Sequence, residues 1–68
     1  MNGAIRYPQA EVNLSGEDGN GFVIVARTRR ALRRARVSDA EIDAYSKEAT
    51  DGDYDHLLGT TMRWVTTS

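Results

Sequence analysis

Ser38-Asp39-Ala40-Glu41-Ile42 opens the part of the chain whose reading decides the fold. Ser38 and Glu41 stand at the spacing of a capping box, in which each side chain satisfies a backbone amide at the other's position. Val37 and Ile42 flank the box where a hydrophobic staple packs. The spacing therefore predicts a helix that starts at Ser38. Ile42, Tyr45 and Ala49 recur at helical intervals and give it one buried face. Gly52 is placed to end this helix in a left-handed conformation. Asp53 follows at once as the cap of a third helix, whose apolar stripe reads Tyr54, Leu57, Leu58, Thr61 and Met62.

Upstream, a first helix is predicted over residues 20–36. Asp18 or Asn20 caps it, because a short polar side chain accepts from the free first-turn amides. Ile24, Val25, Thr28, Ala31, Leu32 and Ala35 share one side of its wheel, and the arginines take the other. Residues 15–21 hold three glycines and four polar side chains and read as a loop. Before it, Ala10, Val12 and Leu14 alternate with Glu11 and Asn13, the period of a half-buried strand. Residues 1–9 form a loosely ordered N-terminus. At the other end, Val65-Thr66-Thr67 is β-branched, fits a strand better than a helix, and can pair with residues 11–14. The prediction is a small α+β single domain of order β-α-α-α-β, three helices with a short two-stranded ribbon.

Gly16-Glu17-Asp18-Gly19-Asn20, Arg30-Ala31-Leu32-Arg33-Arg34-Ala35, Glu41-Ile42-Asp43, Gly52-Asp53-Tyr54-Asp55-His56-Leu57-Leu58 and Met62-Arg63-Trp64-Val65 together resemble a family. It is a family of small uncharacterised proteins encoded by bacteriophages, prophages and actinobacterial mobile elements. The resemblance covers residues 11–65. It implies a phage or mobile-element origin and carries no activity with it. The sequence departs from the family pattern at Arg36, where a Gly is expected to close the first helix.

Composition narrows the function classes. The chain has 68 residues, 40% of them hydrophobic, which is enough for one core and not for two domains. A formal net charge of -1 excludes a globally basic nucleic-acid protein. With no Cys and one His, disulfides, thiolate metal sites and the usual zinc ligand sets are excluded. No apolar run approaches a membrane span, and no basic segment leads into an apolar one at the start. The expected compartment is the cytoplasm, that of the host cell if the chain is phage-encoded.

Beneath the near-zero net charge the ionic residues are segregated. Arg6 against Glu11, Glu17 and Asp18 leaves the first segment acidic. Residues 21–37 then carry Arg27, Arg29, Arg30, Arg33, Arg34 and Arg36 and no acid. From Ser38 onward, Lys47 and Arg63 face seven carboxylates. At helical spacing the arginines make like-charge neighbours of 27/30, 29/33, 30/33, 30/34 and 33/36. At about 0.2–0.5 kcal/mol each, these repulsions total roughly 1–2.5 kcal/mol. Two answers to that charge compete: the acidic half of the same chain, folded alongside, or an anionic partner. Arg29, Arg33 and Arg36 lie on the stripe nearer the core edge, where the acidic helices are within reach. Arg27, Arg30 and Arg34 form an outward stripe that is left for a partner.

Other constellations fall short of chemistry. Asp51-x-Asp53-x-Asp55 begins like a calcium loop, but His56 and Met62 stand where Gly and Glu are required. The Glu17–Gly21 turn lacks the Lys and Ser/Thr of a phosphate loop. His56 lies between acids, yet no nucleophile motif surrounds Ser38 or Ser46, and a first-turn histidine reads as exposed. The acids of the second helix argue against its use as a DNA-recognition helix. Phe22, Tyr54 and Trp64 read as core or core-edge aromatics, with the Trp64 indole at the rim. The expectation is a non-enzymatic interaction module without cofactor or metal that binds an acidic protein surface through Arg27, Arg30 and Arg34 with Arg33. Nucleic acid and a small phosphorylated ligand are the alternative partners. Glu17, Asp18, Asn20, Tyr54 and Trp64 form the alternative surface, and a homodimer is the expected assembly.

Overall fold

The computed structural model describes residues 4–14 and 20–68. Its order is β1 (Tyr7–Val12), α1 (Gly21–Arg34), α2 (Asp39–Ala49), α3 (Tyr54–Trp64) and β2 (Val65–Thr67). The predicted β-α-α-α-β order is the observed one. β1 and β2 pair in parallel, so the three helices together form the crossover that a parallel pair demands.

Caps set the helix starts. The Asn20 Oδ1 accepts from the Phe22 N–H at 2.9 Å, the Ser38 Oγ from Glu41 at 3.3 Å, and the Asp53 Oδ1 from His56 at 2.9 Å. Asp18, the other predicted cap of α1, lies outside the described residues. The capping box is only half formed. The Glu41 carboxylate turns away from Ser38 to the Arg6 guanidinium at 3.2 Å and the Tyr7 hydroxyl at 2.8 Å. Val37 is partly buried and packs against the core cluster to which Ile42 belongs.

The helix ends follow different rules. At the end of α1 the Val37 N–H donates to the Leu32 carbonyl and the Arg36 N–H to the Arg33 carbonyl, both at 3.0 Å. That pair of bonds is a Schellman motif, and its left-handed residue is Arg36, with φ 66°. The position where a Gly is expected is thus left-handed with an arginine in it. Gly52 does not take the predicted left-handed role; α2 ends at Ala49, with Thr50 as its C-cap at φ −94°. What Gly52 supplies is space, since a Cβ there would lie 2.8 Å from the His56 ring.

The core draws on every element: Ala10 and Val12 from β1, Ile24, Thr28 and Leu32 from α1, Ile42, Tyr45 and Ala49 from α2, and Val65 from β2. α3 turns inward the face Leu57, Thr60, Thr61 and Trp64. The predicted α3 stripe is therefore rotated: Leu57 and Thr61 are buried, but Tyr54 and Met62 are exposed. The bulk of Trp64 decides that rotation, because its indole is the costliest ring on the helix to leave in water. Buried threonine hydroxyls are satisfied within their own helices, Thr28 to the Ile24 carbonyl at 2.8 Å and Thr61 to Leu57 at 2.9 Å. The Tyr45 hydroxyl then donates to the Thr61 Oγ1 at 2.7 Å. Burial pushes the Tyr45 hydroxyl above its ordinary pKa of 10.0, while the Thr61 and Thr28 hydroxyls pull the other way.

β1 starts at Tyr7, so Tyr7, Pro8 and Gln9, assigned to the N-terminal segment by the sequence, lie in the strand and Leu14 lies beyond it. The register runs Tyr7 to Val65, Glu11 to Thr66 and Val12 to Thr67, with an irregularity between Tyr7 and Glu11. Pro8 falls in that irregularity, has no N–H to give, and takes the Thr66 hydroxyl on its carbonyl at 2.9 Å.

Candidate binding face beside α1

The six arginines of residues 27–36 have separate fates. Arg29 alone meets the acidic half: its Nη1 lies 3.2 Å from Asp43, donates to the Ser46 Oγ at 2.6 Å, and reaches the Ile42 carbonyl at 3.5 Å. Arg33 and Arg36, predicted to join it there, are exposed. Among the described residues Arg30, Arg33, Arg34 and Arg36 form no ion pair. The acidic half finds its cations elsewhere. Glu41 is taken by Arg6, and Glu48 by Arg63 at 3.7 Å and by the Trp64 indole N–H at 3.1 Å. Among the described residues these pairs account for Arg29 and leave Arg30, Arg33, Arg34 and Arg36 without one.

Arg27, Arg30 and Arg34 are brought together as the helical spacing predicts. Their stripe runs along β1, and with Glu11, Val12 and Asn13 it lines a groove of about 250 Å³. The groove continues past Arg34 to Gln9, Ala10 and Ala35, where a second hollow of about 240 Å³ begins. The Arg27 Nη1 donates to the Asn13 carbonyl at 3.3 Å and closes one end. Arg33 stays outside the groove. The contribution of β1 to this face has no signal in the arginine spacing, because it depends on which side of α1 the strand docks.

The alternative surface does not assemble. Glu17 and Asp18 lie outside the described residues, and Asn20 serves as a cap. Trp64 is 3% exposed and belongs to the core rather than the rim. Its ring packs on Tyr7 at 5.9 Å and Tyr45 at 5.7 Å between centroids, and the Arg6 guanidinium lies 4.4 Å above it. A hydrogen bond to Glu41, with burial adding to it, holds the Tyr7 hydroxyl above its usual pKa, against a lowering by Arg6. Tyr54 instead borders an apolar hollow of about 370 Å³ with Phe22 and Leu57. Phe22 is 87% exposed, against the expectation of a core aromatic, because the side of α1 carrying Ile24 and Thr28 turns inward and Phe22 lies off it.

His56 is half-buried, not simply exposed as its first-turn position predicted. Its Nε2 lies 2.7 Å from the Glu48 carbonyl, tying the start of α3 to the end of α2. Ser46 is engaged by Arg29 and Ser38 by its helix amide, so neither forms a nucleophile pair with this imidazole. Among the described residues no three His or acidic side chains converge where they could hold a metal ion. None of the described helices is long and apolar enough to cross a membrane.

No protein-family model, curated protein or solved structure matches the chain.

Proposed function

We propose that this domain is a non-enzymatic interaction module that binds an acidic partner protein through the outer face of α1. Its anchors are Arg27, Arg30 and Arg34, with Arg33 at the margin, and its setting is the cytoplasm of a host that carries the phage or mobile element. One observation carries this reading: Arg30 and Arg34 line a groove without an ion pair among the described residues, while Glu41, Asp43 and Glu48 are compensated by Arg6, Arg29 and Arg63. Guanidinium groups held side by side at the cost of mutual repulsion suit a carboxylate-bearing surface, which accepts their paired N–H donors. Nucleic acid is the second reading for the same face: Asp39 and Asp43 on α2, Asp51 and Asp53 in the loop after it and Asp55 on α3 are exposed and repel a phosphate backbone that runs on past the groove.

Fluorescence anisotropy tests this with two labelled probes, a ten-residue peptide alternating Glu with Thr and a DNA duplex of equal charge. The peptide is expected to bind, and Arg27→Gln/Arg30→Gln/Arg34→Gln is expected to lose it while keeping the parent circular dichroism spectrum. Binding of the duplex alone, with affinity falling by about 0.9 log units per decade of salt for each phosphate contacted, would hand the face to nucleic acid.

A further inference from the structure

The geometry points to the outer edge of β1 as a place where an extended acidic segment of the partner adds as a third strand. This rests on the acidic-partner reading and specifies how that partner is held.

In the ladder between β1 and β2, the Ser68 N–H donates to the Val12 carbonyl at 3.0 Å and the Leu14 N–H to the Ser68 carbonyl at 2.8 Å. The backbone groups of Val12 and Leu14 thus face β2. Alternation along the strand turns those of Glu11 and Asn13 to the other side. The Asn13 carbonyl confirms the direction, since it accepts from Arg27 on α1. Glu11 therefore presents an N–H and a C=O on the side away from β2, and its residue lines the groove together with Arg30 and Arg34. An unpaired strand edge is a template for another strand, with backbone bonds supplying affinity and flanking side chains supplying selectivity.

The charge beside the edge chooses the occupant. A second copy pairing here would bring its own Arg30 and Arg34 against the first pair, and like charges across a new strand pair are destabilising. An incoming strand with carboxylates on alternate residues places them on one face, where the guanidinium groups stand.

The test uses the full chain and the alternating Glu/Thr peptide, made unmodified and with N-methyl groups on alternate residues in each of the two registers. N-methylation removes backbone donors and leaves the charge intact. Strand addition predicts that one methylated register binds about tenfold more weakly than the unmodified peptide, as the loss of one or two backbone hydrogen bonds implies, and that the other binds nearly as well. It also predicts slower exchange of the Glu11 amide in the complex. Equal binding of both methylated peptides, with loss of binding in the arginine variant, would overturn strand addition and leave the arginine face standing. No binding of any peptide would remove the acidic-partner reading and this inference with it. Glu11 amide protection that rises with protein concentration in the absence of peptide would assign the edge to a second copy and overturn the proposal.

Discussion

At the Trp64 corner the cations are paired by the fold. Arg6 lies over the indole and against Glu41, and Arg63 reaches Glu48, whose other oxygen takes the indole N–H. Beside α1 the same residue type is left open: Arg30 and Arg34 have no ion pair among the described residues and border a groove. The difference lies in what each cation covers. Arg6 and Arg63 come from the ends of β1 and α3, where the aromatic core surfaces and a carboxylate is at hand. Arg30 and Arg34 come from the C-terminal half of a basic helix and face a strand whose acid is Glu11. Charge segregation in the chain is thus only partly resolved by folding, and among the described residues Arg30 and Arg34 are the unpaired cations that border the groove.

Removing Trp64 strips the closed corner of its anchor. Trp64→Ala is expected to cost about 3–5 kcal/mol, the range for deleting a buried aromatic. For a domain of this size that approaches the whole stability, and the circular dichroism of the variant at 25 °C should be that of an unfolded chain. A folded variant with parent stability would mean that the corner is a surface feature.

Arg36→Gly should act in the opposite direction, by about 1 kcal/mol, since Gly occupies the left-handed region without the Cβ clash. That corresponds to a rise in Tm of about 4–8 °C in a domain this small. A fall in Tm would place the value of Arg36 in its charge rather than in the strain it carries.

Tyr45 sharpens the closed half. Its folded pKa is raised above 10.0, so the protonated form is the one the fold favours. The stability this contributes is complete below pH 10.0 and is lost as the pH rises through the folded value. Tyr45→Phe keeps the ring, gives up the bond to Thr61 at a cost of about 0.5–1.5 kcal/mol, and should flatten the fall in Tm between neutral pH and strongly alkaline pH. An equally steep alkaline fall in the variant would shift the effect to another group, with Tyr7 the first to examine.

What could be read from the sequence was local. The Ser38 and Asp53 caps, the Ile42/Tyr45/Ala49 face and the Arg27/Arg30/Arg34 stripe each depend on spacings within one helix, and the structure contains all of them. Long-range partners had no such signal. The Glu41 side chain leaves its capping box for Arg6 and Tyr7, more than thirty residues away in the chain. Trp64 goes under Arg6 instead of to the rim, and α3 rotates with it. The irregular parallel pairing around Pro8 depends on where a three-helix crossover returns the chain. The candidate face divides in the same way: its arginines follow from helical periodicity, whereas the strand edge beside them appears only when β1 is docked.

The charges of Arg30 and Arg34 are not spent on ion pairs among the described residues, and urea unfolding of Arg30→Gln/Arg34→Gln measures this directly. Gln keeps a similar helix propensity and a polar stem, so the change isolates the two charges. The expected unfolding free energy equals that of the parent or exceeds it by up to about 0.5 kcal/mol, the relief of a like-charge pair at helical spacing. A loss of more than about 1 kcal/mol, beyond what an exposed ion pair supplies, would show that the two arginines hold the domain together and would contradict it.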